Sequence, residues 1–303
     1  MSVNPARVAI GVDLGGTNIR AAVVTPAGVI TARHRIATPL RDAQLAPPAA
    51  LVAAIVDCVR PLLNTPGIAG IGVGSGGQFN PETGMMLGIN TDHPDFVNQP
   101  IAAMLSERLS SPVYVDNDVK AAAFAELKCG AGRGFRHIIC AAVGTFVGGA
   151  LILDGRVVNG ANGLAGHLGQ LIDYQTGMYL EDLAGGVPLS RRAIAAGLLQ
   201  PGQTTEDLFA RARAGHAGSQ QAIHDAGRAL GYALAGVAHF VQPDVILIGG
   251  SVGLQPEYLA AINTALQEKL LTNWRSIRAI PMQLGTDAGQ IGAGLRVFEE
   301  QPA

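Results

Sequence analysis

Apolar positions along this chain fall into short continuous runs that alternate with longer stretches of helical spacing. The runs at 8–12, 19–24 and 29–36 predict three strands, with the turn Thr25-Pro26-Ala27-Gly28 between the second and third. From Pro48 onward Leu51, Ile55, Cys58 or Val59, and Leu62 recur on one helical face. Buried strands follow at 69–73 and 113–115, the second leading into a helix over 120–127. The same order then repeats. A strand at 138–143 enters a glycine-rich turn, and strands at 150–153 and 156–158 are joined by Asp154-Gly155, a type I′ hairpin signal. Leu230, Leu234, Val237 and Phe240 mark one helix face, followed by a strand at 245–248, a helix at 256–270, a strand at 279–284 and a closing helix at 288–300. Two matching mixed α/β series predict a duplicated architecture with a ligand cleft between lobes. The lobes are read as 1–117, completed by 288–303, and 118–287, with a soft boundary near Asn117.

Composition narrows the partners. Of 303 residues, 48% are apolar and 15% charged, and the net charge is −2, which describes a compact chain with no concentrated basic surface for nucleic acid. No signal-peptide pattern or bilayer-length apolar run is present, so a cytoplasmic location without a membrane is expected. Cys58, Cys129 and Cys140 are widely spaced and read as free thiols.

The chemistry concentrates at a few turns. Asp13-Leu14-Gly15-Gly16-Thr17-Asn18 lies between two strands, so an acidic residue is delivered to a tight glycine turn that can bring backbone N–H groups against phosphate. Neither a Walker loop nor a Rossmann fingerprint is present, because each opens a helix. The alternative is a Gly-Gly hairpin turn without a ligand. Asn117-Asp118 stands where a strand meets a helix, a place for a catalytic carboxylate or for a helix cap.

The string Asn117-Asp118-Val119-Lys120-Ala121-Ala122-Ala123-Phe124-Ala125-Glu126 resembles the NDxxAAAxAE segment of the repressor, open-reading-frame and kinase family of sugar kinases. That resemblance implies an actin-like (ribonuclease H-like) α/β fold and transfer of the ATP γ-phosphoryl group to the 6-hydroxyl of a hexose. It makes Asp118 the general base, and Asn90, Asn117, His167 and Glu181 sugar contacts. ATP falls to Asp13, Gly15, Gly16, Thr17 and Asn18, to Gly144, Thr145 and Gly148, and to Gly249, Gly250 and Ser251. Asp13 would position Mg²⁺ through water, and the family implies a homodimer. Its repressors carry a DNA-binding helix-turn-helix for which there is no room before Val8.

Three departures qualify the match. Gly163-Leu164-Ala165-Gly166-His167-Leu168-Gly169-Gln170 places His167 where the family has glutamate and Gln170 where it has histidine, and 171–180 holds no cysteine, so no zinc site is expected. His167 is similar to the GLAGHxGH string of bacterial N-acetylmannosamine kinases, which makes N-acetylmannosamine the expected sugar. Glucose or another hexose is the alternative. Phe146 replaces a glycine of the second phosphate loop, and together with His167 and Gln170 it motivates a third reading, a catalytically weak sugar sensor. Lys120 is expected on a solvated helix face.

Overall fold

The computed structural model describes residues 6–38, 48–88 and 94–301. Contacts divide the chain into two compact units: Met1–Arg133 with Val157–Ala165 and Thr286–Ala303, and Gly134–Arg156 with Gly166–Gly285. The closing helix belongs to the first unit. The helix that starts at Asp118 also lies in the first unit, so the chain leaves that unit after Arg133 and not near Asn117.

In the first unit β1 (Val8–Leu14), β2 (Asn18–Val24) and β3 (Ile30–Ala37) form an antiparallel meander, followed by α1 (Pro48–Val59), β4 (Ile68–Ser75) and a small hairpin of β5 (Gln78–Asn80) and β6 (Met85–Gly88). Then come α2 (Ile101–Leu109), β7 (Val113–Asn117) and α3 (Asp118–Cys129). The second series is β8 (Ile138–Val143), β9 (Val147–Leu153), β10 (Arg156–Val157), α4 (Leu180–Ala184), α5 (Gly186–Ala195), α6 (Thr205–Arg213), α7 (Ala217–Val241), β11 (Val245–Gly249), α8 (Pro256–Lys269) and β12 (Ala279–Pro281). The helix α9 (Ala288–Glu300) returns to the first unit.

Among the described residues the two large sheets have the same strand order, β3-β2-β1-β4-β7 and β10-β9-β8-β11-β12. In each, an antiparallel hairpin is joined edgewise to parallel strands, β1 with β4 and β4 with β7, β8 with β11 and β11 with β12. The duplication read from the sequence is therefore present in the topology. Asp154 and Gly155 both take positive φ, at 52° and 73°, as the type I′ turn requires. The final strand is shorter than expected and ends at Pro281, although the Met282 N–H still donates to the Ile248 carbonyl of β11.

Strand alternation explains how the first sheet is covered. Ile10, Val12, Ile71 and Val73 join a core cluster with Leu51, Val52 and Ile55 of α1. On the opposite face, α9 approaches so closely that a Cβ at Gly11 or Gly72 would collide with the carbonyls of Gln290 or Ala293. The second unit has its own core, in which Ile139, Ala141 and Ile248 pack with Leu230 and Leu234 of α7 and Ile262 of α8. Cys58, Cys129 and Cys140 are free thiols, and Cys58 and Cys140 are buried. Among the described residues no helix is long and apolar enough to cross a membrane.

Candidate active site

In the first unit the C-terminal ends of β1, β4 and β7 come level, with Asp13 beside Gly74 and Ser75 beside Asn117. Open α/β sheets offer ligand sites at such strand ends. Asp13 is 9% exposed, and the Arg20 guanidinium donates to its Oδ2 at 2.5 Å. This pair sits directly across the hairpin, since Asp13 and Arg20 are register partners. Burial pushes the Asp13 carboxyl above its ordinary range, and Arg20 opposes that shift without cancelling it. The carboxylate lies against Gly289 in the first turn of α9, where a Cβ would come within 2.9 Å of Oδ1.

The loop Gly15–Thr17 is braced from behind. The Gly15 N–H donates to the Asn18 carbonyl, Thr38 donates its N–H to the Thr17 carbonyl, and the Thr38 hydroxyl donates to the Gly15 carbonyl at 2.7 Å. Gly16 and Thr17 face solvent. Asn18 opens β2.

At the start of α3, Asn117 is the N-cap. Its Oδ1 accepts from the N–H groups of Val119 and Lys120, and its Nδ2 donates to the Gly77 carbonyl at 3.1 Å. The capping alternative thus describes the Asn117 side chain, which keeps one amide hydrogen for a ligand. Asp118 is the first helical residue, half-buried, and its Oδ1 accepts from Val119 N–H at 2.8 Å. Its carboxyl is pushed up to about 6, first by burial and next by the negative charge of Asp13, against the lowering effect of that N–H. A carboxyl so placed takes up a proton close to neutral pH, as a general base requires.

Lys120 does not lie on a solvated face. It is 2% exposed, because the segment Val157–Ala165 of the same unit folds over it. Asn90 lies outside the described residues.

The second unit supplies glycine turns and few charges. Gly144, Thr145 and Phe146 form the loop between β8 and β9, closed by the Gly144 N–H donating to the Phe146 carbonyl. The first turn of α5 holds this loop, with Gly186 and Val187 N–H groups donating to the Gly144 and Thr145 carbonyls. Phe146 is 45% exposed and is absent from the described non-glycine residues with positive φ, so the aromatic residue occupies ordinary backbone space. Gly148 lies within β9, half-buried. Gly249 ends β11 against Met282, and Gly250 turns with φ of 83° where a Cβ would collide with the Val143 carbonyl. That carbonyl accepts the N–H groups of Val252 and Gly253, and Ser251 stays exposed. A cleft of about 340 Å³ opens between these turns and α5, lined by Gly144, Thr145, Val187, Arg191, Thr204 and Ser251 among others.

His167 is half-buried ahead of a helical turn at Leu168–Gln170. Gln170 Nε2 donates to Glu181 Oε1 at 2.7 Å, and burial raises the Glu181 carboxyl while this bond lowers it. The cysteine-free segment that follows closes through backbone bonds from Leu180 to Leu171 and from Asp173 to Met178. Among the described residues no three His, Cys, Asp or Glu side chains come together as a metal cage. Mg²⁺ at a nucleotide needs no such cage, because it keeps waters and takes one or two carboxylates plus phosphate oxygens. Asp13, with Oδ1 outside its bond to Arg20, fits that use.

A family model described as the ROK family matches residues 9–299. The chain belongs to the ROK family. It is 30% identical to the glucokinase of Streptomyces coelicolor, over 97% of this chain and 98% of that one. It is also 30% identical to the N-acetylmannosamine kinase of Yersinia pseudotuberculosis, over 94% and 97% of the respective chains. Among solved structures it is similar to a ROK family glucokinase from Streptomyces griseus in complex with glucose and AMPPNP. The identity there is 27%, the TM-score 0.81 and the coverage 95% and 98%. The actin-like class expected from the sequence is the class of this ROK chain. Sequence reasoning missed Arg20, Thr38 and the Gly77 carbonyl. Arg20 alone carried a signal, since four residues between the paired Leu14 and Ile19 set position 20 opposite position 13.

Proposed function

We propose that this ROK-family chain is an ATP-dependent sugar kinase that phosphorylates the 6-hydroxyl of a hexose, with N-acetylmannosamine as its sugar. The observation that carries the reading is Asp118, held at the first turn of α3 with its carboxyl raised to about 6 beside buried Asp13. The hydroxyl oxygen attacks the γ-phosphorus, the bond to the β-phosphate bridge breaks, ADP departs, and the hydroxyl proton passes to Asp118. Asn117 orients the sugar through its remaining amide hydrogen, and His167 and Glu181 recognise sugar hydroxyls with Asn90. Gly15–Asn18, Gly144, Thr145 and Gly148 receive the phosphates, and Gly249–Ser251 receive the adenosine side. Mg²⁺ supplies charge neutralisation on the phosphates when bound, and Asp13 would hold it through water. Gln170 bound to Glu181 stands in place of a zinc ligand, so we read the segment after it as needing no zinc. In this reading the chain works in the cytoplasm as a homodimer.

A second reading, glucokinase, is favoured by the likeness to the Streptomyces coelicolor enzyme over 97% of this chain. The sensor reading gains nothing from Phe146, whose backbone lies outside the left-handed region. Coupled ADP release measured across glucose, mannose, N-acetylglucosamine and N-acetylmannosamine tests the assignment. The highest kcat/KM is expected with N-acetylmannosamine; a preference for glucose installs the second reading, and sugar binding without turnover sinks the kinase.

A further inference from the structure

Lys120 lies two residues beyond the proposed base, and its burial has no role in the chemistry described so far. Its Nζ donates to the Gly163 carbonyl at 2.6 Å and to Asn159 Oδ1 at 3.3 Å. A buried ammonium needs acceptors, and among the described residues Gly163 and Asn159 supply them from one loop of the same unit. Burial and the charge of Arg296 weaken the protonated form, while Asp116 near the end of β7 supports it. The loop is closed by the Ala165 N–H donating to the Asn159 carbonyl at 3.0 Å. Gly163, with φ of 80°, is seated so tightly that a side chain would collide with the Phe79 carbonyl. Gly160, Ala161 and Asn162 remain exposed at the tip. An exposed tip is thus carried on a base fastened to the helical turn that bears Asp118.

We propose that Lys120 is a positioning residue that locks the Asn159–Ala165 loop to α3, so that this loop forms part of the sugar site and is held in fixed register with Asp118. The role in sugar recognition rests on the sugar-kinase reading. Lys120 touches no reacting atom; it acts by restraining a loop whose ordering would otherwise have to be supplied by sugar binding.

The test compares the full-length wild type with Lys120→Met and Asn159→Ala. Three measurements are made: amide exchange of the peptide spanning 157–166 without ligand, calorimetric binding of the preferred hexose of the four-sugar panel, and steady-state KM for that hexose and for ATP. Lys120→Met is expected to speed exchange at Ala165 and to weaken hexose binding about tenfold, the range of a charge-assisted hydrogen bond. The KM for ATP is expected to stay within about twofold, since only sugar binding draws on the loop. Asn159→Ala keeps the backbone bond and is expected to act in the same direction more weakly, which covers the case in which Lys120→Met folds poorly. Unchanged loop exchange or unchanged hexose affinity overturns the proposal, and so does an equal loss for hexose and ATP, the mark of general destabilisation. A wild type that binds a hexose without phosphorylating it overturns the kinase reading alone, and the binding comparison then still decides the role of Lys120. A wild type that binds no hexose overturns both.

Discussion

The two large hairpins are built alike and furnished differently. Leu14 and Val143 are buried before the loop, Gly15 and Gly144 are half-buried at its first position, and the next two residues are exposed in both, so that Phe146 stands where the first hairpin has Thr17. Around the first loop the chain buries charge, with Asp13 paired to Arg20 and Asp118 raised beside it. Around the second it places carbonyl and N–H groups, with Gly250 turning against Val143 and α5 receiving Gly144 and Thr145. One topology therefore yields an end with buried carboxyls and an end built from backbone groups. What separates them is which side chains the strand ends carry, since the strand order is the same.

Breaking the charged end should have the largest effect. Asp118→Asn is expected to keep the fold and lower kcat by about 10²–10⁴, the usual contribution of a positioned base. Steady-state turnover near wild type would remove Asp118 from the chemistry and erase the contrast between the hairpins. The end built from backbone groups should break through geometry instead. Gly250→Ala forces a Cβ onto φ of 83° and against the Val143 carbonyl, with an expected loss of about 1–3 kcal/mol from the backbone alone. Thermal unfolding and the KM for ATP, measured together, check that it harms nucleotide binding while the pH profile stays put.

A third measurement sharpens the charged end through stability. The folded chain keeps the Asp118 proton up to about pH 6, whereas the unfolded chain releases it near the ordinary 3.8. Between these values the folded state binds more protons, so this group lowers stability as pH rises through the window. Asp118→Asn should therefore melt higher than wild type at pH 7 to 8, by roughly 2–4 °C for each kcal/mol relieved, with the gap closing near pH 4. In wild type kcat/KM should fall as pH drops through about 6, because the base becomes protonated. Phe146→Ala should do least. The ring is 45% exposed, so a change of about 0.5 kcal/mol in stability and an unaltered KM for ATP are expected. A large rise in ATP affinity would mean that the aromatic residue obstructs the loop after all.

Much of this was legible in the order of residues. The hairpins announced themselves as apolar runs broken by glycine, and the helix read at 288–300 is α9 as it stands. The small hairpin of β5 and β6 carried only three and four residues, too few for a period to show. Lys120 was misread because its acceptors come from Asn159 and Gly163, 39 and 43 residues away, and helical spacing holds no information about them. The Asn117–Asp118 pair was found, but its division of labour needed coordinates, since either residue type can cap a helix.

The position of α9 also bears on how the chain matures during synthesis. Its residues close the face of β1 and β4 and pack on α3, yet they follow every residue of the second unit in the sequence. A nascent chain that has emerged as far as Gly285 holds the whole second unit, while Gly11 and Gly72 still lack the helix that fits against them. Domains generally fold in the order in which they leave the ribosome, and contacts that span long stretches of chain form slowly. Here that order is inverted: the unit translated first is completed second, and the strand that presents Asp13 waits for Gly289 to arrive.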